Sequence, residues 1–254
     1  MNKIKVVENK IIPFDNVEVI INDNSIKFTN NGDYYIEYID SNDISFTFEL
    51  DKNICINLFE YSNNNDININ NKYILNRSSS LILSKFYCNR NTNEKIDIYL
   101  KEEKANIKYN FSSISNDSDK YIINIFHDDK NTSSDIFNRT VSNPNSSNVF
   151  DINSYVDNNI KNCNLNQHTK IITLGDSNNR INPNMFIGEE STSAGHSSVI
   201  GMIDENDLFY LMSRGIDYKT SVNLIIKGMI LSNINVNMEY REKILKILDT
   251  IGGD

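Results

Sequence analysis

The stretch Ile171–Ser177, IITLGDS, runs an apolar segment into Gly175, Asp176 and Ser177, an arrangement that could deliver a serine nucleophile into a turn. Such a serine attacks only when a base takes its proton, usually a histidine held by a carboxylate near the C-terminus, and no histidine follows His196. A turn after a buried strand is the competing reading. Glu189 and Glu190 precede His196, and carboxylates beside an imidazole suit metal binding or acid–base work, but their spacing matches no closed metal site. His127 and His168 are the other imidazoles, so a histidine-rich site has to assemble across the fold or with a partner. Taken by themselves, the three histidines fit surface or hydrogen-bonded positions better than ligand positions. Cys55, Cys88 and Cys163 are widely spaced and odd in number, which suits neither a disulfide framework nor a paired-thiol zinc site and favours a reducing, intracellular compartment. No glycine-rich loop leads into a Lys and Ser or Thr pair, so the chain should not hold ATP through a P-loop.

The elements that position these groups change character along the 254 residues. In the first two-thirds, short Ile, Tyr and Phe runs alternate with Asn, Asp and Ser clusters, predicting strands at Val17–Ile21, Ser25–Thr29, Tyr34–Ile39, Ile44–Leu50 and Ile54–Tyr61. A repeat of roughly ten residues suits a sandwich, a barrel or a solenoid. Gly32 alone among glycines precedes residue 175, so left-handed turn positions must fall to Asn and Asp. An A+T-rich coding sequence, which would raise Asn and Ile together, explains the Asn excess equally well. Ser142–Asn148, SNPNSSN, reads as an exposed loop. Beyond it the spacing predicts a helix from Asp204 to Gly215, a second over 217–234 with Val222, Leu224, Ile225, Ile226, Met229 and Ile230 on a broad apolar face, and a third over 238–251. The expected organisation is a mainly β body over 1–203 and a helical region over 204–254.

With 39% hydrophobic and 23% charged residues the chain can bury a sizeable core. Its 25 basic and 34 acidic side chains give a net charge of -9, which repels phosphate backbones and argues against nucleic-acid binding. Met1–Lys10 lacks the apolar run of a signal peptide, and no stretch of about 18 apolar residues exists, so the expectation is a cytoplasmic protein with no membrane partner.

Gly195–Ile216, GHSSVIGMIDENDLFYLMSRGI, closely resembles the C-terminal signature of the SufB/SufD family of iron-sulfur cluster assembly proteins: a His, small residues, an acidic helix start, an aromatic pair and Arg-Gly-Ile, here Phe209, Tyr210, Arg214, Gly215 and Ile216. Pro183–Ile187 resembles the family's strand before that His, Lys130–Ser134 (KNTSS) the approach to another core strand, and Asn164–Gly175 (NLNQHTKIITLG) the strand with a central Gln, here Gln167. The resemblance covers about residues 120–235; the first hundred residues carry no motif of the family.

The resemblance implies a right-handed parallel β-helix followed by helices, working without catalysis of its own. It implies a scaffold that pairs with a second SufB/SufD-type subunit or a copy of itself, and holds a SufC-like ABC ATPase through its C-terminal helices while a nascent iron-sulfur cluster forms at the subunit interface. No nucleotide is expected on this chain. Phe209, Tyr210, Arg214, Leu224, Ile225 and Met229 are the implied docking residues, with packing of the 217–234 helix on its own β body as the alternative. His196 aligns with the family's interface His, a nitrogen donor suited to iron, followed by Ser197 where SufB-type members carry Glu. His168 stands where those members carry the sulfur-accepting Cys, and an imidazole cannot form a persulfide; Cys163, five residues earlier, is the nearest thiol in sequence. The chain therefore reads as SufD-like or as a divergent single-type SufBD. The rival from another class is a secreted β-solenoid that binds or cleaves polysaccharide, which predicts an aromatic or acidic stripe along one face.

Overall fold

A computed structural model describes residues 2–13 and 19–251. It is a two-sided β-solenoid of about six turns followed by three helices. The first sheet runs, from the C-terminal end, through β18 (Ser193–Gly201), β16 (Asn164–Thr173), β14 (Ser133–Ser142), β12 (Asn106–Ser115), β10 (Ser80–Tyr87), β8 (Cys55–Ser62), β5 (Gly32–Ile39), β1 (Asn2–Val7) and β2 (Lys10–Pro13). The second runs through β17 (Asn178–Ile187), β15 (Ser147–Val156), β13 (Ser118–His127), β11 (Asn91–Leu100), β9 (Asp66–Leu75), β7 (Thr47–Leu50), β4 (Ser25–Phe28) and β3 (Val19–Asn22), with β6 (Asp43–Ile44) also on β9. Every pairing is parallel except the hairpins β1–β2 and β3–β4 at the N-terminal end. Successive coils take 25, 26, 27, 31 and 29 residues, as the ladder partners Cys55, Ser80, Asn106, Ser133, Asn164 and Ser193 show.

Alternating side chains fill the space between the sheets, as in β15, where Asn148, Phe150, Ile152, Ser154 and Val156 are buried and the residues between them are not. Corners need left-handed backbone, and of eleven non-glycine residues with positive φ among those described, eight are Asn or Asp. The exceptions are Glu8, Ser78 and Lys104. Val19–Asn22 forms only the end of the first predicted strand, whose Val17 lies outside the described residues. The Ile44–Leu50 strand divides into β6 and β7 because Asn71 Oδ1 takes the Phe46 N–H at 3.0 Å. Ser142–Asn148 is a tight corner whose tip, Pro144 and Asn145, is exposed and whose flanks are buried. Ser142, Ser146 and Asn148 are buried there and tied together, with Ser142 Oγ to Ser146 Oγ at 2.7 Å and Asn148 Nδ2 to Asn179 Oδ1 at 2.7 Å.

One stretch of the interior is ionic. Lys85 Nζ lies 3.2 Å from Glu60 Oε2 and 2.9 Å from Glu94 Oε1, with all three side chains fully buried. Tyr38, Tyr73 and Tyr87 donate hydroxyl hydrogen bonds to Glu60. Burial pushes the Glu94 carboxyl up, and Lys85 offsets part of that rise.

Asp204, Asp217 and Asn237 cap α1 (Glu205–Ser213), α2 (Tyr218–Asn233) and α3 (Met238–Leu248), each accepting from a backbone N–H of the first turn. Gly215, at φ +87°, ends the first helix where a side chain would be strained. Val222, Ile226 and Ile230 of α2 share a buried cluster with Phe86, Ile114 and Val141 on the outer face of the first sheet. At about 1.5–3 kcal/mol for each buried aliphatic side chain, that contact holds the helix firmly. Tyr240 of α3 packs its ring 5.1 Å from Phe59 and 5.6 Å from Tyr61, while Lys243 Nζ reaches Glu37 at 2.5 Å. No helix among the described residues is long and apolar enough to cross a membrane.

Candidate functional site

The C-terminal end of the solenoid is where the ladders stop, and among the described residues no further strand pairs with β17 or β18. Register sorts the expected site residues there. Gln167 of β16 lies beside His196 of β18, and His168 beside Ser197. Gln167 is buried and donates from Nε2 to Ser154 Oγ at 2.8 Å across the interior, so its column, which includes His196, faces inward. His168 belongs to the opposite parity and sits on the outer face of the first sheet. Its Nδ1 is 2.7 Å from Ser197 Oγ, and its ring stacks on Phe137 with centroids 5.0 Å apart and planes at 14°. The first sheet therefore separates the two imidazoles. Cys163 is 2% exposed at a corner, its Sγ 3.3 Å from Thr132 Oγ1, and joins neither histidine.

The other chemical candidates resolve into structure. Both nitrogens of His127 are engaged, Nδ1 with Thr132 Oγ1 at 2.8 Å and Nε2 with Ser134 Oγ at 3.0 Å, and burial lowers its pKa to about 4. Ser177 occupies the short corner between β16 and β17, where Asn179 Nδ2 donates to its hydroxyl at 2.8 Å; the turn reading holds. Burial pushes the Cys88 thiol up. No group of three or more His, Cys, Asp or Glu among the described residues is placed to hold a metal ion.

The implied docking residues also divide. Phe209, Tyr210 and Leu224 are 75%, 59% and 44% exposed, and α1 has no buried residue. Arg214 lies over the Tyr210 ring at 5.4 Å. Ile225 is half-buried, and Met229 packs against the cluster under α2. Much of the broad apolar face of the 217–234 helix is thus covered by the chain's own sheet, and the exposed apolar surface moves to α1. A groove of about 570 Å³ separates α1 and the start of α2 from the β16–β17 corner, lined by Leu174, Met202, Ile203, Leu208, Tyr218 and Val222 among others.

An aromatic stripe does run along the second sheet, through Tyr99, Phe126, Tyr155 and Phe186. Its rings stack face to face at 4.7–4.9 Å, so they cover one another's faces and give a sugar ring no flat platform. Sequence reasoning missed this stripe, the Phe137–His168 stack and the Glu60–Lys85–Glu94 cluster. The first two join residues about one coil apart, and the third is signalled by Glu60, Lys85 and Glu94 each lying at an inward position of its strand's alternation, as in Leu81, Leu83, Lys85, Tyr87.

Against known families, residues 52–229 match the model of the SUF system FeS cluster assembly, SufBD core domain. The match begins well upstream of residue 120, where the motif resemblance starts. Over 119 residues the chain is 26% identical to the iron-sulfur cluster assembly protein SufD of Bacillus subtilis (strain 168), covering 46% of this chain and 27% of that protein. The chain spans about a quarter of the length of that relative in the alignment.

Proposed function

Because the chain belongs to the SufBD core-domain family of the SUF iron-sulfur cluster assembly system, we propose that it is a cytoplasmic, non-catalytic scaffold subunit on which a nascent cluster forms. The open C-terminal end of the solenoid carries this reading: two strands with free edges, flanked by exposed Phe186, Ile187, Val199 and Ile200. Free edges and an apolar rim suit pairing with a second SufB/SufD-type subunit or a second copy, edge to edge. The cluster is cargo at that junction, with His196 and Gln167 on the inner column, His168 on the outer face and Cys163 nearby in the chain.

The exposed side chains of α1, with Leu224, are the proposed grip for a SufC-like ABC ATPase. ATP turnover belongs to that partner, since this chain has no P-loop sequence. The test is co-purification of the full chain with a SufC-like ABC ATPase. Phe209→Asp with Tyr210→Asp should abolish capture while far-UV circular dichroism stays unchanged, because neither side chain is buried. Undiminished capture by that folded variant rules the docking assignment out. Sedimentation of the chain with Val199→Asp and Ile200→Asp tests pairing, for which an unchanged dimer is the contrary result.

A further inference from the structure

Four oxygens inside one corner of the solenoid make no hydrogen bond among the described residues. Ser115 ends β12, the exposed corner 116–118 follows, and Asp119 and Tyr121 begin β13 with their side chains turned inward. Ser115, Asp119 and Tyr121 are at most 2% exposed, yet Ser115 Oγ, Asp119 Oδ1 and Tyr121 OH each stand outside hydrogen-bonding geometry. On the next coil Asn148, the ladder partner of Asp119, gives Nδ2 to Asn179 Oδ1 at 2.7 Å and to Ser142 Oγ at 3.1 Å, and its own buried Oδ1 has no donor. Thr92 is the ladder partner of Asp119 on the preceding coil. Buried polar atoms are nearly always partnered, so orphans gathered on neighbouring positions of three strands call for a shared cause.

Charge balance selects what fits there. Asp119 is in no ion pair among the described residues, and Ser115, Thr92 and Tyr121, which face its carboxyl, are neutral. Burial pushes that carboxyl up to about 6, so at neutral pH it is ionised at a cost to the fold. A buried carboxylate is ordinarily paired with a cation or bound to a metal. No group of three His, Cys, Asp or Glu among the described residues stands ready for a divalent ion, whereas one carboxylate among neutral oxygens matches a single positive charge. We infer that Asp119 Oδ1, Ser115 Oγ, Tyr121 OH and Asn148 Oδ1 bind a monovalent metal cation, Na⁺ or K⁺, which supplies the countercharge and joins β12, β13 and β15 across the corner. The ion takes a lone pair from each oxygen, and it satisfies the Asp119 and Asn148 oxygens, two acceptors that cannot bond to each other. The site lies in the middle coils and does not depend on the cluster-assembly reading.

The test is urea unfolding of the full chain near pH 8 at constant ionic strength, with tetramethylammonium, too large to enter, replaced stepwise by Na⁺ or K⁺. An ion bound only by the folded chain stabilises by mass action, so above half-saturation each tenfold rise in the ion should multiply the folding equilibrium constant about tenfold. Asp119→Asn, of the same shape but neutral, should lose this dependence, and Tyr121→Phe should shift it to higher ion concentration. With thallous nitrate as a spectroscopic probe, the ²⁰⁵Tl resonance should broaden in the presence of the unaltered chain and stay sharp with Asp119→Asn. Unfolding curves that coincide in all three cations overturn the site and leave the four oxygens to bridging water. A dependence on Na⁺ or K⁺ that persists undiminished in Asp119→Asn overturns it as well, because the ion then binds elsewhere.

Discussion

Replacing Lys85 by Met is the most demanding check on the interior. The ammonium sits about 3 Å from two carboxylates, 3.2 Å from Glu60 and 2.9 Å from Glu94, with no exposure on any of the three. At an effective dielectric constant near 20 each contact is worth about 5 kcal/mol of Coulomb energy, most of it offset by removing the ions from water. Methionine fills similar volume but leaves two buried acids without a cation, a change that typically costs about 3–5 kcal/mol. Urea unfolding at pH 7 should therefore show a loss of that size against a total of roughly 5–15 kcal/mol for an ordinary domain. Adding Glu60→Gln and Glu94→Gln to Lys85→Met should return most of it, because the amide oxygens still accept from Tyr38, Tyr73 and Tyr87. The sign with pH is fixed as well. In the single variant burial still raises the Glu94 carboxyl and Lys85 no longer offsets it, so stability falls as pH rises above the ordinary glutamate range, and the loss shrinks toward pH 5. A loss under about 1 kcal/mol, or one unchanged between pH 5 and 8, would refute the reasoning.

Further expectations concern titration, turns and stacking. His127, lowered to about 4, gives the fold stability that is lost as pH falls from about 6.5 to 4, while Asp119, raised by burial to about 6, gives stability lost as pH rises from about 3.8 to 6. The two limbs nearly cancel, so Asp119→Asn should unmask a rise of roughly 3 kcal/mol between pH 4 and 6.5 in urea titrations; a flat profile contradicts it. Lys104, exposed at φ 63°, should gain up to about 1 kcal/mol on replacement by Gly, read as a higher Tm, and a lower Tm would show that the corner is not strained. Tyr155→Ala, stacked on both sides, should cost more than Phe186→Ala at the open end of the stripe, by about 1 kcal/mol in chemical denaturation.

Strand existence was legible in β4, β5 and β8 because apolar alternation and Asn-rich corners speak locally, and the capped helices were legible for the same reason. Coil length was not. Two strands of similar length in each turn repeat at about half the coil, so a rhythm near ten residues conceals a rung of 25–31. That variable rung also hid the arrangement of the site. His168 and His196 are separated by one coil, but a one-residue change of register exchanges the inner and outer faces of a strand, and the sequence does not show which register holds. The helix over 217–234 was correctly placed, but whether its apolar face packs on the chain's own β body stayed open, because a sheet face bearing Phe86, Ile114 and Val141 becomes visible only once three coils are stacked.

The two ends of the solenoid are built differently. One finishes in antiparallel hairpins, β1–β2 and β3–β4, whose outermost strands β2 and β3 have four residues; the other finishes in parallel strands of nine and ten residues with no further strand paired to them among the described residues. A molecule with one receptive terminus and one blunted terminus can satisfy its long edges only by meeting another receptive terminus. Under the proposed pairing, growth would halt at two, and the asymmetry that invites a partner would keep such chains from stringing into fibres.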